Sequence, residues 1–230
     1  MVMKKPGAWM WVFLGLWSCA APEPETKNVL DERGKMVEGV SRNYFENGKL
    51  RNEVPVKDGK RNGEAREYYE NGQLAASIVY ESDQKSGLSR WYYQDGILFQ
   101  EVSFVANQKH GIEKKYYNTG ELMASLPWKH GATTSGLKEY QKNGKLVKQP
   151  EITVSGHGTL TLRLSNGAEQ VSFYMGDMAA DEPLDESKHQ LIPSQKGVAM
   201  LKAPSEATTF IAVRKSNMKN PQILLHNWKP

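Results

Sequence analysis

The sequence predicts an all-β chain: an array of antiparallel β-hairpin repeats with a 24-residue period and about five copies, followed by a small β-sandwich. Three observations lead there. Tyr44, Tyr68, Tyr92, Tyr116 and Tyr140 recur at one interval, and Gly48, Gly72, Gly96, Gly120 and Gly144 keep step, each with a leucine two residues on. Val54 and Val56, Ile78 and Tyr80, Val102 and Phe104, and Leu126 and Trp128 put apolar side chains at alternate positions, the mark of a strand with one buried face. Beyond Lys148 the period stops, and short apolar stretches broken by glycine, proline and asparagine take over. A fixed period means that one small unit was copied, each copy burying its apolar face against its neighbours. Such arrays usually bind things and seldom do chemistry.

Residues 1–18 read as a signal peptide. Lys4 and Lys5 precede an uncharged run from Ala8 to Trp17, which as a helix spans only about half of a roughly 30 Å hydrocarbon core. The chain is therefore expected to be exported. Leu16-Trp17-Ser18-Cys19 resembles the lipobox of bacterial lipoproteins, which implies a diacylglycerol on the Cys19 thiol and attachment to a membrane through that lipid. Trp17 departs from the usual small or branched residue at its position. Ala20 stands where aspartate would favour inner-membrane retention, so the outer membrane is the expected location. Residues 19–28, rich in proline and charge, read as a tether. Cys19 is the single cysteine, so no internal disulfide and no cysteine-rich zinc site can form. Removing Lys4 and Lys5 from 30 basic side chains leaves 28 against 26 acidic ones, a balance that gives no expectation of nucleic-acid binding.

Residues 29–149 form the predicted array. The turn at each glycine reads Glu46-Asn47-Gly48, Glu70-Asn71-Gly72, Gln94-Asp95-Gly96, Asn118-Thr119-Gly120 and Lys142-Asn143-Gly144. A two-residue type I′ turn needs positive φ before the glycine, which β-branched Thr119 resists, so a three-residue loop closed by a glycine bulge is expected. That loop pairs Tyr44 with Leu50 and is expected to put the tyrosine, leucine and even-numbered apolar columns on one face. Phe45, Tyr69, Tyr93 and Tyr117 would then lie on the more exposed face. A second turn falls at the column Gly59, Asp83, Asn107 and Gly131. The fifth copy, with Gly136 one place late and Gln141 in place of an aromatic, reads as a cap, and residues 29–38 as cover for the other end.

The pattern Gly-x-x-x-x-Tyr-Tyr-x-x-Gly-x-Leu, from Gly39 to Leu146, resembles the bacterial MORN-repeat variant, relatives of which carry an antitoxin label. The resemblance implies a hairpin array used for protein or lipid contact, with an antitoxin or immunity-type inhibitor of a toxin as the alternative role.

Residues 150–230 carry seven strand-length stretches in about 80 residues, the signature of an immunoglobulin- or fibronectin-like sandwich. No cysteine pair or central tryptophan marks an antibody-like domain, since Trp228 stands at the extreme end. No catalytic constellation appears, and no cofactor or metal is expected. His110, His130, His157, His189 and His226 have no ligand spacing; His110 and His130 read as turn residues and His157 as a bend between strands. Glu53 and Glu101 share a column with Ser77 between them and read as surface charge, which leaves an envelope glycan-active enzyme as the least favoured class.

One column stands out. Arg42, Arg66, Arg90, Lys114 and Lys138 each lie two residues before a column tyrosine and so on the same strand face. Their stems would cover the tyrosine rings, with cation–π contacts of about 0.5–1 kcal/mol each when exposed. As a contact strip they would suit lipid headgroups, acidic glycans or an acidic protein. The expected whole is a lipid-anchored envelope protein acting as a binding or scaffold module.

Overall fold

The computed structural model describes residues 28–215 and 220–230. The expected signal segment, Cys19 and all of the tether except Asn28 lie outside them. Among the described residues every regular element is a strand.

Residues 29–139 make one 13-stranded antiparallel sheet that follows chain order. Val29–Leu30 covers part of the first edge by pairing with Met36–Tyr44, as expected of residues 29–38. Each unit then alternates two kinds of turn. At the first kind, Phe45 N–H donates to Lys49 O and Gly48 N–H to Phe45 O, with Gly48 at φ 80°: the three-residue loop that Thr119 demanded, repeated at Gly72, Gly96, Gly120 and Gly144. Glycine is needed there because φ is positive at all five positions. The Asn47, Asn71, Asp95 and Asn143 side chains accept the N–H two residues ahead and hold the loop closed.

The second kind is a two-residue type I′ hairpin at Asp58-Gly59, Ser82-Asp83, Ala106-Asn107 and His130-Gly131, with both residues of each pair at positive φ. It also joins one unit to the next. The N–H groups of Gly59, Asp83, Asn107 and Gly131 donate to the carbonyls of Val37, Arg61, Lys85 and Lys109, each 22 residues earlier. Asp83 and Asn107 return the bond through their side chains, accepting from the N–H groups of Arg61 and Lys85. That bond is the first cause holding the Asp83 carboxyl below the usual carboxylate range.

A second device stitches the tips. Tyr69, Tyr93 and Tyr117 donate their hydroxyls to the carbonyls of Tyr92, Tyr116 and Tyr140 at 2.6, 2.9 and 2.8 Å. These side chains are half-buried staples, although their face was expected to be the more exposed one, whereas Tyr44 is 59% exposed. Replacing Tyr93 by phenylalanine, the residue that unit one has at position 45, should cost about 1 kcal/mol, read as a lower urea midpoint with unchanged slope.

The face assignment also differs from expectation, for one physical reason. Tyr44 does pair with Leu50, but Asn43 pairs with Asn52, so Arg51 is an extra residue in a β-bulge. Ala75, Phe99 and Met123 are its counterparts in the other units. The bulge exchanges the faces beyond it. Val54, Ile78, Val102 and Leu126 therefore lie opposite Ser41, Ala65, Ser89 and Glu113, and the tyrosine column shares its face with Glu53, Ser77, Glu101 and Ser125. The buried set of the sheet, Ala65, Ile78, Val102, Phe104 and Leu126, belongs to the first of these faces.

The C-terminal part consists of two four-stranded sheets. One runs Ile152–Ser155, Thr159–Leu164, Val198–Lys202, Ser194–Gln195; the other runs Gln190–Ile192, Ser172–Met175, Thr208–Lys215, Pro221–Trp228. In chain order this is the A-B-E-D and C′-C-F-G arrangement of an immunoglobulin-type sandwich. Leu160, Leu162, Phe173, Ala199, Phe210 and Ala212, all within 1% of full burial, meet between the sheets. Trp228 supplies an aromatic from the terminal strand, 6.2 Å from the Phe210 ring. His157 sits in the link between the first two strands, while His110 lies within the strand Gln108–Tyr116 and only His130 occupies a turn.

Candidate interaction surface

The cation column lies on one sheet face, as its spacing required, but its partners are carboxylates. Glu53, with 19% of its side chain exposed, sits between Arg42 and Arg66 at 3.5 Å from each and accepts the Tyr68 hydroxyl at 3.1 Å. Two units on, Glu101 repeats the arrangement: Arg90 at 3.6 Å, Lys114 at 3.3 Å and the Tyr116 hydroxyl at 3.1 Å. The two glutamates are thus half-shielded hubs, in contrast to the solvent-leaning charges expected of them. In the unit between, Ser77 takes the column position and donates to Glu64, which pairs with Arg66 at 2.8 Å. The Ser77 bond, more than the Arg66 charge, holds the Glu64 carboxyl below its ordinary range despite partial burial. Burial first, and then the adjacent Glu53 or Glu101 charge, pushes the Tyr68 and Tyr116 phenols up, so both remain donors near neutral pH.

Arg42, Arg66, Arg90 and Lys114 keep 43–47% of their side chains exposed. These four cations meet three carboxylates, Glu53, Glu64 and Glu101, so the strip retains a small excess of positive charge. Lys138 and Tyr140 continue it on the short strand Lys138–Glu139 and the Tyr140–Leu146 bridge. Ion pairs at such exposure contribute little to stability, typically 0–1 kcal/mol each. Leu88 and Ile112, 36% and 52% exposed, lie on the same strand face two residues before Arg90 and Lys114 and add an apolar margin.

The cation–π contacts expected in this column occur elsewhere. Arg61, Lys85 and Lys109 stand over Tyr80, Phe104 and Trp128 at 4.2, 5.3 and 4.5 Å, near the type I′ turns. The tyrosine column faces carboxylates because the bulge brings Glu53 and Glu101 to its side.

Sequence reasoning missed a second polar assembly. Glu113 is 1% exposed on the opposite face, where it accepts from the Trp128 indole N–H at 2.6 Å and pairs with Lys109 at 3.0 Å. Lys115, 3.9 Å from Glu113, donates to Asn220 of the sandwich at 2.8 Å, and Asn220 donates to buried Glu139 at 2.7 Å. Gln222 donates to Gln149 beside them. Array and sandwich are therefore joined by buried polar contacts. A signal was available: position 113 holds glutamate where the other units have Ser41, Ala65 and Ser89.

Residues 37–58, 61–82, 85–106 and 109–130 each match the family described as MORN repeat variant. Four tandem copies in the array thus match that repeat family. The matches end at the turn His130-Gly131, and the fifth unit keeps the glycine turn, with Gln141 N–H on Lys145 O, the Tyr140–Leu146 bridge and the two-residue strand Lys138–Glu139. MORN repeats generally serve as binding or scaffold modules. No curated protein matches the chain.

Proposed function

We propose that the chain is a lipid-anchored bacterial cell-envelope protein, held by acyl chains on Cys19, whose MORN sheet works as a binding or scaffold module. The observation that carries the binding role is the in-register strip of Arg42, Arg66, Arg90 and Lys114, exposed on one face with more cations than the carboxylates between them. Repeated positive charge at strand-pair spacing complements a surface that carries several negative charges, an acidic protein or a bed of headgroups. The N-terminal pattern Leu16-Trp17-Ser18-Cys19 supports export and anchoring, with the outer membrane favoured by Ala20.

Fractionation with crosslinking in intact cells tests the reading. Cys19→Ala should move the protein to the soluble fraction, and persistence in the membrane would count against the anchor. Changing Arg66, Arg90 and Lys114 together to glutamine should cut crosslinked partner severalfold while the circular dichroism spectrum stays the same. Undiminished capture would return those side chains to a purely structural role.

A further inference from the structure

The bulge residues have a second consequence. Each lies six positions after the second aromatic of its unit, pairing Phe45 with Arg51, Tyr69 with Ala75, Tyr93 with Phe99 and Tyr117 with Met123. In unit one the Arg51 guanidinium lies 5.8 Å from the centre of the Phe45 ring. In unit three Phe99 packs edge-on against Tyr93 at 5.1 Å. Ala75 is too short to do either. At that place a cleft of about 300 Å³ opens between the first and second hairpins, lined by Phe45, Arg51, Asn52, Glu67, Tyr69 and Ala75 among others.

The chemistry of the lining is specific. Phe45 and Tyr69 offer aromatic surfaces, whose negative faces attract polarised C–H groups. The Glu67 side chain is exposed and has no hydrogen bond or ion pair among the described residues. Asn52 uses its carbonyl oxygen to accept from Asn43 at 2.9 Å, which leaves its NH₂ as a donor. Arg51 adds further donors beside them. Aromatic surface with a carboxylate acceptor and planar amide and guanidinium donors around it matches the two sides of a pyranose ring, C–H on its faces and hydroxyl at its rim. Opposite charges side by side, Arg51 and Glu67, disfavour a strongly anionic ligand.

The row continues along the same sheet face. Asn52 pairs with Glu67, Glu67 with Ala76, Ala76 with Trp91 and Trp91 with Gln100, so these side chains share one side. Trp91, half-exposed and two strands from Glu67, stands about 10 Å along the sheet. At the far end Lys115 closes the row onto Asn220 of the sandwich, and the near end is open. From this we infer that the cleft between the first two MORN units, with Trp91 beyond it, binds a neutral oligosaccharide of gluco-configured rings. The inference deepens the binding-module reading by naming a ligand class, but it occupies the sheet face opposite the cation strip.

Calorimetric titration of the full chain with cellotetraose and with chitotetraose tests it. Wild type should bind at least one of them at submillimolar concentration. Ala75→Phe, which copies the filled arrangement of unit three, should abolish binding while leaving the circular dichroism spectrum and Tm unchanged. Glu67→Gln, an exposed change that does not threaten folding, should weaken binding about tenfold by loss of a charged acceptor. The Arg66, Arg90 and Lys114 triple variant should bind saccharide as wild type does. No heat with either saccharide overturns the inference, as does Ala75→Phe or Glu67→Gln binding undiminished, and neither result bears on capture through the cation strip. Loss of saccharide binding in the triple variant would place the site on the wrong face and overturn the inference as well.

Discussion

Glu113→Ala is expected to destabilise the protein by about 3–5 kcal/mol, because it removes the anion from a buried, hydrogen-bonded set and leaves its partners behind. The Trp128 indole N–H loses its acceptor, and Lys109 and Lys115, whose side chains are 28% and 23% exposed, lose their counter-charge. Both lysines can lift part of their charge to water, which places the expected cost toward the lower end of that range. Glu113→Gln should lose less, since an amide oxygen can still accept from Trp128. Urea unfolding followed by tryptophan fluorescence measures both. A loss below about 1 kcal/mol for the alanine variant would mean that the cluster is dispensable.

Phe173→Ala should cost about 3–5 kcal/mol and should unfold the sandwich ahead of the array. Phe173 is fully buried between the two sheets, in the strand that pairs with both Gln190–Ile192 and Thr208–Lys215. The hole it leaves is bounded by residues of both sheets, so neither can collapse alone to fill it. Scanning calorimetry should show an early transition absent from wild type. A single transition shifted as a whole would indicate that Lys115, Asn220 and Glu139 couple the two parts into one cooperative unit.

The sheet, its turns and the order of its units were legible because turn chemistry is local. Thr119 alone decided against a two-residue loop, and the column Gly59, Asp83, Asn107, Gly131 marked the second turn. Seven of the eight sandwich strands correspond to the seven strand-length stretches expected there; Ser194–Gln195 was missed because two polar residues carry no pattern. The face assignment failed at Arg51, Ala75, Phe99 and Met123. A β-bulge at these positions has no common side chain to announce it, so a cation, a methyl, an aromatic and a thioether occupy one backbone role. With the faces exchanged, the cations still share one sheet face, but their neighbours are carboxylates where aromatic rings were expected. The cleft followed from the same bulge and could not have been read without it, although alanine in a column of larger residues was visible throughout.

The bond from each type I′ turn to a carbonyl 22 residues earlier gives every unit one outgoing donor and one incoming acceptor, identical at each joint. Growth of the sheet by another unit therefore needs no new chemistry, only a further copy set between existing ones. In-frame duplication in the gene can lengthen the platform, and unequal recombination can shorten it, while both ends keep their seals. Selection is then free to tune reach by counting, and recognition by changing one side chain in one copy.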